Sequence, residues 1–172
     1  NWFLSRIDAD PEHRRKKLAV VLLNYDLPDC TQMLWNRADL RICADGGADH
    51  LFRSKWMGLA RDTSGTEFSS AGAEAAAPGP DFIVGDLDSC PADVLSTFAE
   101  SFGSKILDLS HDQDTTDLEK CLELVRRRIQ SHEERPSSWD VAVLGCFGGR
   151  FDCEMSHLHA AVKFADLSIC LI

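Results

Sequence analysis

The chain has 172 residues, with 18 Lys and Arg against 28 Asp and Glu, and a formal net charge of −10. This length matches one domain of about 150 residues and leaves no room for a second of similar size. The acidic balance argues against sequence-independent binding to nucleic acid or acidic lipid. The longest aliphatic run, residues 18–23, is far shorter than the roughly 20 residues that span a bilayer, so we expect neither a nucleic-acid nor a membrane partner.

Strand-like apolar segments alternate with segments of helical period, which predicts a parallel sheet built from βαβ units. The predicted strands are residues 18–23, 40–44, 82–84, 105–109, 140–144 and 167–172. The predicted helices are residues 31–38, 48–56, 92–102, 117–130 and 151–165. We therefore expect an α/β fold: a doubly wound, mainly parallel six-stranded sheet with helices on both faces, a Rossmann-like three-layer arrangement.

Two helices have a clear apolar stripe and are expected to bury it. In helix 117–130 the stripe consists of Leu118, Cys121, Leu122, Val125 and Ile129. Thr116 and Glu119 form a capping-box pattern at its start. In helix 151–165 the stripe consists of Phe151, Met155, Leu158, Val162 and Ala165.

The two segments outside the regular pattern have different compositions. Residues 1–17 are charged and lack the apolar segment of a secretory signal, so we interpret them as a charged N-terminal extension. Residues 58–80 are rich in Gly, Ala, Ser, Thr and Pro, which predicts a flexible surface insertion. The domain itself is expected to run over residues 18–172.

Seven cysteines are spread along the chain without the close Cys pairs of zinc sites. Most of them fall in apolar periodic segments, where a free thiol packs like a small hydrophobic side chain. We therefore expect free thiols and a reducing compartment, the cytoplasm.

Ligands of open α/β sheets bind at the carboxyl ends of the strands, and acids and glycines follow four of the predicted strands here. The four motifs are Asp45-Gly46-Gly47-Ala48, Gly85-Asp86-Leu87-Asp88-Ser89, Asp112-Gln113-Asp114-Thr115-Thr116-Asp117 and Gly148-Gly149-Arg150-Phe151-Asp152. We expect them to meet along one rim of the sheet.

Asp86 and Asp88 are the leading candidates for a metal site, because carboxylate oxygens suit a Mg²⁺ ion that also binds phosphates. Acids in such loops can also simply solubilise a turn or cap the next helix. Their expected convergence with Asp45, Asp112, Asp114 and Asp117 on the same rim favours a shared cation, since unneutralised carboxylates repel one another. For Asp117 two explanations stay open: a metal ligand, or an acid stabilised by the dipole of its helix.

The Gly148-Gly149-Arg150 turn has the outline of a phosphate site, with backbone N–H groups near a helix N-terminus and a guanidinium beside them. A tight turn alone would also explain the glycine pair. Neither a dinucleotide-binding fingerprint nor a P-loop occurs in the sequence.

Together the four motifs, in this order and spacing between about Leu18 and Ile172, closely resemble thiamine pyrophosphokinases. The resemblance implies an enzyme that transfers pyrophosphate from Mg-ATP to the hydroxyl of thiamine, giving thiamine diphosphate and AMP. It implies Mg²⁺ as cofactor, ATP and thiamine as substrates, and a homodimer formed through the α/β domain and a C-terminal β-sandwich domain. We expect that second domain to be absent from this chain. The 58–80 insertion is longer than the family leads us to expect, and Cys153 stands where another polar residue is common.

The resemblance also assigns roles to the motif residues. Mg²⁺ would be held by Asp86, Asp88 and Asp117. Asp114 would lie next to these ligands without binding the ion directly. The ATP site would be lined by Asp45, Gly46, Gly47, Gln113, Gly148, Gly149 and Arg150. The residues expected in catalysis are Asp86, Asp88, Asp117, Arg150 and Asp152, and Asp152 would lie near the transferred group or the thiamine. Asp114 and Asp152 both remain candidates for taking the hydroxyl proton.

Three other functions fit parts of the pattern. Asp86-Leu87-Asp88 could serve a nucleotide-sugar transferase, or a phosphatase with Asp86 as nucleophile. The phosphatase reaction needs a lysine near the rim, and the four motifs contain none. A non-catalytic nucleotide sensor on the same fold is the third alternative.

Overall fold

The computed structural model describes residues 16–59 and 77–172, and within them strands and helices alternate as predicted. The strands are β1 Lys17–Leu22, β2 Leu40–Ala44, β3 Phe82–Gly85, β4 Lys105–Asp108, β5 Trp139–Leu144 and β6 Ser168–Leu171. The helices are α1 Thr31–Arg37, α2 Gly47–Arg53, α3 Ala92–Phe102, α4 Asp117–Ser131 and α5 Phe151–Lys163, with a short 3₁₀ turn at Pro136–Ser138. Residues 1–15 and most of the predicted 58–80 insertion lie outside the described residues.

All six strands are parallel, in the order β4-β3-β2-β1-β5-β6. The chain runs outward from β1 to β4 on one side and then returns to place β5 and β6 on the other. The order therefore reverses between β1 and β5. In doubly wound sheets a ligand crevice opens at this point, outside the carboxyl ends of the strands.

Two apolar cores lie on opposite faces of the sheet, because successive side chains of each strand point to opposite sides. Along β1, Ala19 and Val21 face one core, and Leu18, Val20 and Leu22 face the other. The first core is covered by α4 and α5, and the second by α1, α2 and α3. The prediction of a three-layer α/β fold is confirmed.

Helix α4 begins as the sequence predicts. The Thr116 hydroxyl accepts a hydrogen bond from the Glu119 N–H at 3.3 Å, and the Glu119 carboxylate accepts one from the Thr116 N–H at 3.3 Å. All five residues of its predicted stripe are buried. Helix α2 ends at Arg53, three residues before its predicted end, since Ser54 is extended and its N–H and hydroxyl both bond to the Leu51 carbonyl.

Helix α5 differs from its prediction, because its apolar stripe points away from the sheet. Phe151 is 72% exposed, Met155 and Leu158 are each 42% exposed, and Val162 is 75% exposed. The small residue Ala160, on the opposite side of the helix, is the one buried against the sheet. The apolar periodicity is real, but within the described residues nothing covers it.

All seven cysteines are free, as predicted, and four of them are buried. None of the helices in the described part of the chain is long and apolar enough to cross a membrane.

Candidate active site

Three carboxylates converge at the carboxyl ends of β2 and β3. Asp45, Asp86 and Asp88 each offer an oxygen, and these three oxygens lie within 4.8 Å of one another. Asp45 is almost fully buried, Asp86 is half-buried and Asp88 is exposed. The cluster combines an interior carboxylate with two that reach solvent, so a cation entering from outside could contact all three.

Asp45 is held in an unusual position. Its backbone has a φ of 41°, in the left-handed region, and its N–H donates to the Val84 carbonyl at 2.9 Å. One carboxylate oxygen accepts a hydrogen bond from the Ser89 N–H at 3.2 Å, and the other is buried without a hydrogen-bond partner among the described residues. Burial raises the pKa of Asp45; the Ser89 hydrogen bonds oppose that shift, and the Asp117 charge adds to it.

Asp117 lies beside this cluster, on the first turn of α4. A Cβ added to Gly85 would lie 3.2 Å from an oxygen of Asp117 and 2.9 Å from the Cβ of Asp45, so the end of β3 passes between the two acids. Burial raises the pKa of Asp117; Lys120 lowers it, and the charges of Asp86 and Asp88 raise it further. Asp117 is therefore electrostatically coupled to the cluster.

A lysine reaches the rim from helix α4 rather than from a loop. The Lys120 ammonium lies 3.3 Å from an oxygen of Asp117, and its side chain is only 4% exposed. The four motifs contain no lysine, so reading them alone missed this cation. The missing-lysine argument against a phosphatase consequently does not hold.

The third motif is ordered mainly by its own hydrogen bonds. The Asp112 carboxylate accepts from the N–H groups of Asp114 and Thr115, at 3.1 and 3.2 Å, and from the Thr115 hydroxyl. The Thr115 hydroxyl is the main cause that lowers the pKa of Asp112. Gln113 and Asp114 are exposed, and the Gln113 amide donates to the Ser110 carbonyl at 2.8 Å. Asp112 therefore shapes this loop.

The glycines of the first motif have a packing role. A Cβ on Gly47 would lie 2.4 Å from the Leu22 carbonyl oxygen, and one on Gly46 would lie 2.5 Å from the Asn24 amide. At Gly47 the obstacle is backbone, so the turn between β2 and α2 packs against the end of β1 and close packing explains this glycine. At Gly46 the obstacle is the end of the Asn24 side chain, which can move aside, so packing does not by itself require a glycine there.

A cavity of about 490 Å³ opens where the strand order reverses, between the loops that follow β1 and β5. Asp117, Gly149 and Arg150 are among the residues that line it. The remaining lining residues are Leu23, Asn24, Tyr25, Ala44, Thr116, Leu118, Gly145, Cys146, Cys153, Glu154, Ser156 and His157. The cavity joins the third and fourth motifs.

The fourth motif forms a turn whose polar groups already have partners. The Gly148 N–H donates to the Glu154 carboxylate at 2.8 Å, and its carbonyl accepts from the Tyr25 hydroxyl. Arg150 is 79% exposed and forms a two-pronged pair with Asp152, with Nε 3.0 Å from one carboxylate oxygen. The Arg150 hydrogen bond lowers the pKa of Asp152, which makes this carboxylate a weaker base than an unpaired one.

The sequence analysis did not single out Tyr25, Glu154, Lys120 or His157. Tyr25 follows the carboxyl end of β1, so applying the strand-end rule to every strand would have found it. His157, whose Nδ1 lies 2.9 Å from the Cys146 carbonyl, and Glu154 enter the site from helix α5.

A family model described as "Thiamin pyrophosphokinase, catalytic domain" matches residues 31–171. The chain belongs to the thiamin pyrophosphokinase family. The resemblance that the four motifs suggest is thereby confirmed over most of the chain.

Curated members of this family are similar to the chain across most of its length. It is 40% identical over 155 residues to thiamine pyrophosphokinase 1 of rice, covering 90% of this chain and 54% of the relative. It is 39% identical over 168 residues to thiamine pyrophosphokinase 1 of Arabidopsis thaliana, covering 96% and 58%. The chain thus spans little more than half the length of these relatives.

Solved structures of the family have the same fold. The yeast thiamin pyrophosphokinase matches with a TM-score of 0.69 at 19% identity, over 98% of this chain and 61% of that one. The Candida albicans thiamin pyrophosphokinase matches with a TM-score of 0.67 at 23% identity, over 91% and 58%. At these identities the likeness supports the fold alone.

Proposed function

We propose that the whole protein transfers a pyrophosphoryl group from ATP to the hydroxyl of thiamine, giving thiamine diphosphate and AMP. The observation that carries this proposal is a cluster of three carboxylates, with Asp117 beside it, next to a 490 Å³ cavity that both Asp117 and Arg150 line, in a chain of this family. In this reaction the thiamine oxygen forms a bond to the β-phosphorus of ATP, the bond from that phosphorus to the bridging oxygen of AMP breaks, and the hydroxyl proton is released.

The carboxylate cluster suits Mg²⁺. Its donors are all carboxylate oxygens, the type that Mg²⁺ prefers, and a buried oxygen of Asp45 lacks a hydrogen-bond partner among the described residues. We propose Asp86, Asp88 and Asp117 as the ligands, with Asp45 as a further candidate. Asp114 would lie next to the ligands without binding the ion directly. When bound, Mg²⁺ would offset the negative charge of the acids and of the ATP phosphates.

The remaining predicted residues are proposed to position the substrates. Arg150 would exchange its partner Asp152 for a phosphate, which the guanidinium can bind through two parallel hydrogen bonds. Asp152 would then be free to face the transferred group or the thiamine. The nucleotide would also be lined by Asp45, Gly46, Gly47, Gln113, Gly148 and Gly149. These groups supply orientation and charge, which phosphoryl transfer needs more than covalent catalysis.

We also propose that the protein is a cytoplasmic homodimer, assembled through the α/β domain together with the C-terminal β-sandwich domain of the family. The exposed apolar stripe of α5 supports an interface on the α/β domain, because contiguous exposed apolar surface is typical of contact sites. The seven free cysteines support a reducing compartment.

The nucleotide product is the most direct test of this function. The whole protein is incubated with Mg-ATP and thiamine, and the nucleotides are separated by chromatography. We expect AMP and thiamine diphosphate in equal amounts. ADP without AMP would reject pyrophosphoryl transfer, thiamine-independent ATP binding without turnover would favour a nucleotide sensor, and consumption of a nucleotide sugar would favour the transferase.

A further inference from the structure

Tyr25 is the single tyrosine of the chain and connects the loop after β1 to the turn after β5. Its hydroxyl donates a hydrogen bond to the Gly148 carbonyl, 123 residues away in the sequence. Its ring covers the adjacent glycines: an added Cβ would lie 3.2 Å from the ring at Gly148 and 3.0 Å from it at Gly149. Hydroxyl and ring therefore contact the same peptide unit.

The loop that carries Tyr25 is fixed to the centre of the sheet. The Leu23 N–H donates to the Leu144 carbonyl at 2.9 Å, and the Tyr25 N–H donates to the Leu23 carbonyl at 2.9 Å. Strand β1, which precedes this loop, is paired on both sides. The Gly148–Gly149 turn belongs to no strand or helix. Tyr25 thus links the irregular Gly148–Gly149 turn to a loop that is hydrogen-bonded to the central strands of the sheet.

The contact sets the direction of one backbone donor. In a planar trans peptide the carbonyl of one residue and the N–H of the next point in opposite directions. A Gly148 carbonyl held toward Tyr25 therefore turns the Gly149 N–H away from it. The Gly148 N–H is already bound by Glu154. Within residues 16–59 and 77–172 the Gly149 N–H has no protein acceptor, and Gly149 lies on the cavity wall.

We infer that Tyr25 is a positioning residue, which holds the Gly149 N–H and the adjoining Arg150 ready for the phosphate groups of the nucleotide. The inference rests on the proposed function, since it requires ATP phosphates at this turn. Backbone N–H groups near a helix N-terminus bind phosphate oxygens, and a donor that is ordered beforehand lowers the entropic cost of binding. Tyr25 acts through the turn.

The decisive variant is Tyr25→Phe, which keeps the ring and removes the hydroxyl. Loss of one such hydrogen bond predicts about fivefold weaker binding of Mg²⁺ with the non-hydrolysable ATP analogue AMP-PNP, measured by calorimetry. Tyr25→Ala should weaken binding further. The matched control is Ser138→Ala, which removes a hydroxyl that donates to a backbone carbonyl, that of Arg135, just before β5 begins. It should leave nucleotide affinity unchanged. In the whole protein, Tyr25→Phe should raise KM for ATP and leave KM for thiamine unchanged.

A second measurement does not depend on any variant folding. Because Tyr25 is the only tyrosine, incorporating 3-fluorotyrosine gives one fluorine resonance, which should shift when Mg²⁺ and AMP-PNP are added. A resonance that stays unchanged at saturating AMP-PNP overturns the inference. Unchanged AMP-PNP affinity in a folded Tyr25→Phe chain, or an equal rise of the KM values for ATP and thiamine, would also overturn the inference. Each of these three outcomes leaves the proposed function standing. A wild-type chain that binds no AMP-PNP overturns the proposed function, and the inference with it.

Discussion

The ammonium group of Lys120 lies 3.3 Å from an oxygen of Asp117, one helical turn away, and forms an ion pair at the edge of the acid cluster. Lys120→Met should destabilise the Mg²⁺-free protein by about 1 kcal/mol, a value reduced for the partial exposure of Asp117. Added Mg²⁺ should offset much of this loss, because it neutralises the same carboxylates. Thermal unfolding with and without Mg²⁺ measures both effects.

Lys163→Met is the control for this prediction. Lys163 pairs with Glu119 at 3.1 Å, and Glu119 is not one of the clustered acids, so its loss should not depend on Mg²⁺. If Mg²⁺ restores both variants equally, Lys120 has no special relation to the metal site.

Asp45→Asn should stabilise the Mg²⁺-free protein at pH 7 by about 1 kcal/mol and weaken its stabilisation by Mg²⁺. Asparagine can still accept the hydrogen bond from the Ser89 N–H. It removes a buried negative charge that the neighbouring carboxylates repel. Asp49→Asn serves as the control, because Asp49 also has a buried oxygen without a partner but pairs with Arg53. A Mg²⁺ response that survives in Asp45→Asn would remove Asp45 from the site.

The same raised pKa values predict how stability depends on pH. Asp45 and Asp117 bind a proton more tightly in the folded state than in the unfolded state. Their contribution to the free energy of unfolding is therefore fully present below the ordinary carboxyl pKa of about 4 and is lost as the pH rises through the raised values. Urea unfolding of the Mg²⁺-free protein across this range should show a smaller decrease in Asp45→Asn. An identical pH profile for both proteins would contradict this linkage.

Mg²⁺ and ATP should bind together, since the acidic rim repels a bare polyanion. Calorimetry should show much weaker ATP binding in EDTA than in Mg²⁺. The double variant Asp86→Ala and Asp88→Ala should lose this difference. Equal ATP affinity in EDTA and in Mg²⁺ would contradict a metal-bridged site.

Arg150→Lys should lower kcat/KM of the whole protein about thirtyfold, because a lysine cannot make the two parallel hydrogen bonds of a guanidinium. That factor corresponds to ~2 kcal/mol of transition-state stabilisation. Arg127→Lys is the matched control, an equally exposed arginine that pairs with Glu123 on the outer face of α4. Wild-type kcat/KM in Arg150→Lys would make Arg150 an ordinary surface charge.

Val162→Glu should shift the proposed homodimer toward monomer without affecting the fold, because Val162 is 75% exposed and its stripe faces away from the sheet. Sedimentation velocity measures the change. Ser96→Glu, which adds the same charge on the exposed side of α3, should leave the sedimentation coefficient unchanged. A dimer that tolerates Val162→Glu has its interface elsewhere.

The sequence predicted the elements and the position of the rim because both follow from local rules. Periodicity and caps identify helices such as α4, and ligand loops follow the carboxyl ends of parallel strands. The pattern could not tell which face of α5 the sheet would cover. Ala160 fits closely against β-strand side chains, while Phe151 and Val162 are left outside, and this depends on tertiary packing.

Contacts between distant residues were likewise beyond the local rules. Gly47 is required by the Leu22 carbonyl, the φ of 94° at Gly148 favours glycine, and a Cβ on Gly149 would crowd the Tyr25 ring at 3.0 Å. The glycines that suggest phosphate chemistry therefore also have conformational and packing roles. Lys120 was missed because it enters the rim from a helix turn instead of a loop.

The placement of β1 between β2 and β5 also bears on how the chain folds during synthesis. Strand β1 can pair with β2 early, but its other edge stays open until β5 emerges about 120 residues later, on the order of ten seconds at ribosomal rates. An apolar strand with an unpaired edge invites association with other chains. The nascent chain therefore exposes this edge to association with other chains until Trp139–Leu144 is made, and the cavity can form only after that.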